Sequence, residues 1–179
     1  LDDVNQKTHL FAFQNGIYDF NKNEFRPGLP EDYITIQAKC PYISEWKEEH
    51  KADLEVINDF FEKIFPDVSL REYVIGTLSK CLVGNRTEQV AYICQGKGSN
   101  GKSTLFNMLG EAFGQNEYYN KVDIAIFTKG RSNAAGPKAF YQSFKYARVI
   151  VTAEPDEDAY FDTGKFKEIT GQDNLERVP

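Results

Sequence analysis

Eight consecutive residues, Gly96-Lys97-Gly98-Ser99-Asn100-Gly101-Lys102-Ser103, fit the pattern G-x-x-x-x-G-K-[ST]. Those residue types at that spacing can hold a polyphosphate. Glycines at 96, 98 and 101 permit a tight turn and close backbone approach. The N–H groups of such a loop, with the N-terminus of the helix that follows, offer partial positive charge. Lys102 can reach the β and γ phosphates, and the Ser103 hydroxyl can ligate Mg²⁺. With Thr104 next in line, the expected ligand is ATP with Mg²⁺, held by residues 96–104.

A second chemical group lies 51 residues beyond Ser103. The apolar run 149–151 would deliver Glu154 to the C-terminal edge of a strand, where ligands bind in open parallel sheets. Glu154 is therefore expected to act catalytically with Lys102, through the Mg²⁺ shell or by polarising the attacking water. Asp156, Glu157 and Asp158 follow and read as a solvated acidic turn.

These groups need elements to position them. Residues 89–94, Gln-Val-Ala-Tyr-Ile-Cys, predict a strand running into the glycine-rich loop. A helix is predicted from Lys102 to Phe113, closed by Gly114, with a second buried strand over 148–153. Strand, loop, helix and strand make a βαβ unit and a parallel sheet. Residues 131–137 read as a mobile loop and 140–146 as a short helix.

Upstream, residues 9–37 predict a β-meander. Its first turn centres on Asn15-Gly16, its second on residues 21–23, and Tyr33-Ile34-Thr35-Ile36 is β-prone. Ser44 can cap a helix running to about Phe65, ended by Pro66. Ser69-x-x-Glu72 reads as the capping box of the next helix, and Gly84 fits the position just past its end. The apolar periodicity of this pair reads as core. The pattern changes near residue 85, so residues 1–85 are expected to form a small α+β accessory domain. Residues 86–179 would be the first part of a P-loop core, an α/β fold that the chain truncates.

Composition narrows the class. With 41% hydrophobic and 27% charged residues among 179, the chain is globular rather than disordered. No apolar run approaches the ~20 residues of a membrane span, so no membrane partner is expected. Cys40, Cys81 and Cys94 are too scattered for a zinc site or disulfide framework and read as reduced buried thiols. His9 and His50 lie 41 residues apart and read as surface residues. Residues 1–89 hold 10 Lys/Arg against 16 Asp/Glu, and residues 90–179 hold 11 of each. A ring protein can still bind DNA with a few local cations. The only Met is Met108, and the chain stops without a terminal signal, so it reads as a fragment of a longer protein. Other P-loop classes lack their marks: the N-K-x-D look-alike at 21–24 precedes the loop, L-S-G-G-Q is missing, and arginines after the loop are too few for a kinase lid.

A family resemblance covers most of the chain. Phe13-x-Asn15-Gly16-Ile17-Tyr18-Asp19-Phe20, followed by Phe25-Arg26-Pro27-Gly28-x-Pro30-Glu31-Asp32-Tyr33-Ile34-Thr35, resembles the segment before the helicase core in poxvirus-type helicase–primases and phage or plasmid primases. The loop 96–103, the run from Arg148 to Glu154-Pro155, and Phe166-Lys167-Glu168-Ile169-Thr170-Gly171-Gln172-Asp173 are similar to the same family. The resemblance implies a superfamily 3 helicase of the AAA+ class, acting as a homo-hexameric ring on fork duplex and on single-stranded DNA in its pore. It implies an intracellular setting, in host cytoplasm or at a viral replication site. Primase or other replication proteins would be its partners. Lys167 falls in the region that leads toward the family's DNA-binding hairpin. Two features depart from the family: Ala153 stands where many relatives carry a second acid, and Arg177 lies one residue nearer Asp173. The family's sensor and arginine finger come further on, so the isolated chain is expected to turn over ATP little above background. The rival readings are a packaging or remodelling ATPase, and a non-catalytic oligomerisation or docking module that binds nucleotide.

Overall fold

A computed structural model describes residues 4–85, 88, 90–128, 145–155 and 158–171. The predicted meander forms as three antiparallel strands in sequence order: β1 (Leu10–Phe13), β2 (Gly16–Asp19) and β3 (Glu24–Arg26). Phe13 pairs with Gly16, so the loop residues are Gln14 and Asn15, one position before the expected centre, and neither takes a positive φ. Two local demands set this register. A Cβ at Gly16 would lie 2.7 Å from both the Arg26 carbonyl oxygen and the Phe25 ring. The Asn15 carboxamide is committed to Tyr42, donating to its carbonyl at 2.9 Å and accepting from its N–H at 2.8 Å. The second turn falls where expected, with Asp19 accepting from the N–H groups of Asn21 and Lys22 and Asn23 at φ 53°.

The β-prone run 33–36 forms no strand. A 3₁₀ turn at Pro30–Asp32 ends in Tyr33 at φ 53°, which breaks the extended path. Arg26 clamps this turn, donating to both oxygens of Asp32 at 2.8 and 2.7 Å, while the Leu29 N–H donates to Asp32 at 2.8 Å. The Asp32 side chain is 7% exposed. The Arg26 hydrogen bond brings its carboxyl down to about 2 despite the opposing effect of burial.

The first long helix, α1 (Lys51–Ile64), starts later than the sequence suggests. A 3₁₀ turn at Glu48–His50 precedes it, and His50 Nδ1 accepts from the Lys47 N–H at 3.0 Å, so the Ser44 cap is not used. Helix α2 (Val68–Lys80) is capped by Asp67, which accepts from the Leu70 N–H at 2.7 Å, rather than by Ser69. Because α2 ends at Lys80, Gly84 lies beyond its cap and donates its N–H to the Thr8 carbonyl at 3.0 Å. The core reading of this pair is only half right. Phe61 is buried and Leu78, Cys81 and Leu82 pack partly against the core, but Leu54, Ile57, Leu70, Tyr73 and Ile75 are exposed. Periodicity identifies the apolar face; what lies against it decides burial.

Helix α3 (Lys102–Phe113) forms as predicted, with Gly114 at φ 87° closing it. The strand expected over 89–94 does not form: the described residues 90–94 join no sheet, and Ile93 is 85% exposed. The parallel pair that does form is β4 (Tyr119–Val122) with β5 (Val149–Thr152), Tyr119 opposite Val149. The α/β class holds, with two small sheets among the described residues. Helix α4 (Thr163–Thr170) is capped by Asp162, whose carboxylate accepts from the N–H groups of Gly164 and Lys165. The expected loop at 131–137 and the 140–144 part of the expected helix lie outside the described residues, as do Asp156, Glu157 and Arg177.

One apolar cluster joins the meander to the C-terminal half: Phe11, Ala38, Phe61, Leu105, Leu109, Phe113, Tyr118 and Tyr119. Tyr118, 2% exposed, stacks on Phe11 with ring centres 4.3 Å apart. Its hydroxyl accepts from the Ala12 N–H at 3.1 Å. Tyr118→Phe should cost about 1–2 kcal/mol by stranding that buried N–H, read as a lower urea midpoint; an unchanged midpoint would show that Ala12 finds another acceptor.

Asp32 gives a pH test. Its folded pKa lies below its ordinary value of 3.8, so its contribution is fully present above about pH 4 and is lost as pH falls through about 2. Asp32→Asn should remove about 2 kcal/mol at neutral pH and flatten the acid limb of the unfolding curve. An equally steep limb in the variant would assign the acid sensitivity elsewhere.

Candidate phosphate-binding site

The loop follows residues 90–95, which join no strand or helix, turns over 98–100 and enters α3 at Lys102. Two of its residues take positive φ, Ser99 at 59° and Gly101 at 83°. Gly101 needs its freedom twice over. Its φ disfavours an L side chain, and a Cβ would collide with the Ile64 side chain, with the Phe60 ring 3.8 Å away. The last turn of α1 therefore packs against the loop immediately before the first turn of α3.

Lys102 folds back over the loop. Its ammonium donates to the Gly96 carbonyl at 2.8 Å, to Asn100 Oδ1 at 3.0 Å and, at longer range, to the Lys97 carbonyl at 3.4 Å. These acceptors are uncharged. Gly96 leaves room for the arrangement, since a Cβ there would collide with the Asn100 carboxamide. Gly98 faces open space. Lys97, Ser99, Asn100, Ser103 and Thr104 are all exposed, the last two in the first turn of α3.

Glu154 stands two residues beyond β5 and is exposed, at the strand end the sequence predicts. The sheet does not join it to the loop, however, because β5 pairs with β4 and not with residues 90–94. Asp158 is exposed, in keeping with a solvated turn. Lys167 is exposed in the last turn of α4. That helix is moored to residues 124–128 by the Asp162 N–H donating to the Phe127 carbonyl at 2.7 Å and by the Phe127–Phe166 edge contact.

Among the described residues no three His, Cys, Asp or Glu side chains gather as a metal site. No described helix is long and apolar enough to cross a membrane. His9 and His50 are half-buried rather than fully at the surface. Cys40 and Cys81 are half-buried thiols pushed up by desolvation, whereas Cys94 is exposed, contrary to the buried reading.

Asn100 is among the loop residues expected to hold ATP, but the pattern gives it no contact to Lys102, and two further positions carry no signal of their part. Ile64 looks like any residue of an apolar stripe. Arg148 carries no local signal of its packing. Its guanidinium covers Tyr118, 5.5 Å from the ring centre, and donates to the Leu10 carbonyl at 3.0 Å. Burial pulls its pKa below the ordinary arginine value.

Residues 1–66 match the family described as D5 N terminal like. Several viral relatives carry the name "Putative helicase", among them the following three. L207/L206 of Acanthamoeba polyphaga mimivirus is 33% identical over 175 residues, covering 98% of this chain and 18% of the relative. The protein 184R of Invertebrate iridescent virus 6 is 35% identical over 181 residues, 97% of this chain and 18% of the relative. The protein 121R of Invertebrate iridescent virus 3 is 33% identical over 102 residues, 57% of this chain and 11% of the relative. The chain thus spans less than a fifth of the length of these relatives.

The contact between α1 and the loop is testable without nucleotide. Gly101→Ala should lower stability by about 1–2 kcal/mol from backbone strain alone, with the Ile64 collision added, read by thermal unfolding. Ile64→Ala in the same chain should recover less than all of the loss, because it relieves the collision and not the φ penalty. Full wild-type stability in Gly101→Ala would show that the loop adopts another backbone path.

Proposed function

We propose that this chain is the part of a D5-like viral helicase that carries its ATP-binding loop. In the whole protein, a superfamily 3 AAA+ ring would couple ATP hydrolysis to unwinding of duplex DNA during genome replication inside the host cell. The observation that carries this reading is the loop itself. An ammonium with uncharged partners lies over a glycine-rich turn at the start of a helix, in a chain similar along nearly its whole length to two viral proteins that carry the name "Putative helicase".

The chemistry follows from these residues. Lys102 supplies a charge at the loop, and the N–H groups at the start of α3 supply partial charge beside it. The Ser103 hydroxyl and Glu154 carboxylate are exposed hard oxygen donors, which fit Mg²⁺. Mg²⁺, when bound, would neutralise phosphate charge. Glu154 would orient the attacking water and accept its proton. Lys167 would contact DNA phosphate as a single charge. A hexameric ring would complete each site with an arginine from the neighbouring subunit, worth ~10³–10⁵ in rate.

The exposed apolar faces of α1 and α2 favour one alternative, a docking module in which bound nucleotide only stabilises the fold. Turnover separates the two. In the full-length protein, Lys102→Ala should cut ATP affinity about 10²-fold by removing the charge that faces the phosphates, and should abolish fork unwinding. Glu154→Gln should spare binding and slow hydrolysis ~10²-fold or more. ATPase activity unchanged in Lys102→Ala would remove the nucleotide assignment, and binding without any wild-type turnover would leave the docking module.

A further inference from the structure

Resting on the nucleotide reading above, the geometry assigns a role to a side chain that the loop pattern leaves variable. Lys102 has two backbone acceptors, the carbonyls of Gly96 and Lys97, which residues of any type would supply. Its side-chain acceptor is Asn100 Oδ1, at 3.0 Å. The other end of the same carboxamide lies over Gly96, in space that only a glycine leaves open. Asn100 therefore spans the loop from its first glycine to its lysine. We propose that Asn100 is a positioning residue that holds the Lys102 ammonium over the loop, so that an incoming phosphate meets a charge already in place.

The donor arithmetic permits this. An ammonium has three N–H donors on a flexible stem. Two can stay on the Gly96 carbonyl and Asn100, while the third, now on the 3.4 Å contact to Lys97, turns to a phosphate oxygen. Without Asn100 the stem regains rotamer freedom, which binding must then remove. A carboxamide suits the task better than a carboxylate. An aspartate would accept from Lys102 just as well, but it would offset the positive charge and repel the phosphates.

The test uses the full-length protein, Mg·ATP and a fluorescent ATP analogue. Asn100→Ala should raise the KM for ATP about tenfold, the worth of one hydrogen bond to a charged group, with kcat changed by less than about twofold. Asn100 is exposed, so the melting temperature without nucleotide should stay put. Asn100→Asp, nearly identical in shape, should weaken binding further than the alanine. In the Lys102→Ala background, whose residual affinity is read at millimolar analogue, Asn100→Ala should cause no additional loss. A KM unchanged or lowered in Asn100→Ala, beside a Lys102→Ala that loses binding, overturns the positioning role and leaves the nucleotide reading standing. So does an additive loss in the double variant. Undiminished binding in Lys102→Ala overturns both.

Discussion

The fold depends on a single aromatic ring that belongs equally to both halves of the chain. Tyr118 lies between the Phe11 ring and the Arg148 guanidinium, and its hydroxyl takes the N–H of Ala12 from β1. Arg148 in turn reaches the Leu10 carbonyl and fills the space beside Gly84, where a Cβ would collide with it. The backbone repeats the link, since the N–H groups of Arg148 and Val149 both donate to the Tyr118 carbonyl, at 2.7 and 3.0 Å. The meander, the exit from α2 and the start of β5 thus share one joint. The arrangement carries a cost. Arg148 Nε is buried without a hydrogen-bond partner among the described residues, and a buried donor left open forfeits its hydration. The aromatic stack and the two shared carbonyls have to exceed that cost.

That joint explains what the sequence could and could not say. The hairpins, α3 with its closing glycine, and β5 are local: turn residues, a glycine after an apolar periodic run, and a β-branched tetrad mark them within a few residues. The loop pattern was equally local, and its lysine lies over the turn that the glycines allow. Strand β4 was not legible, because Tyr119–Val122 is short and half polar and becomes a strand only by pairing with residues 30 positions away. The opposite error at 90–94 has the same origin. Those residues have strand character, but a ladder needs a partner, and the neighbour of β5 among the described residues is β4. Helix starts went astray for a third reason. Asp67 caps α2 two residues ahead of Ser69, and His50 takes the Lys47 N–H that a Ser44 cap would have used, so the choice depends on how the preceding turn is folded.

The exposed side chains of α1 and α2 are a different kind of discrepancy. Leu54 and Ile57 on α1, and Leu70, Tyr73 and Ile75 on α2, lie exposed, as do Val90, Tyr92 and Ile93. Apolar area of this extent in water is unfavourable by roughly 25 cal/mol per Å² relative to burial. Sequence and structure do not conflict here. The periodicity states what the helices can cover, and among the described residues only part of that face is covered.

The proposed phosphate site lies in a chain whose N-terminal half is acidic. Residues 1–89 carry a net charge of −6 and residues 90–179 are neutral, so bulk charge opposes a polyanion. Distance and chemistry set that opposition aside. At physiological ionic strength a solvent-exposed charge is largely screened beyond about 8 Å, so the groups nearest the loop decide its potential. What the N-terminal half presents there is apolar: Ile64 and Phe60 abut Gly101. Of the acids on α1, Asp59 is paired with Lys63 at 2.6 Å. The family-matched residues 1–66 therefore reach the loop through a neutral wall that fixes the turn without opposing the charge of Lys102. In that arrangement the N-terminal region is part of the loop's support, and the conformation of Gly101 is where the two are mechanically joined.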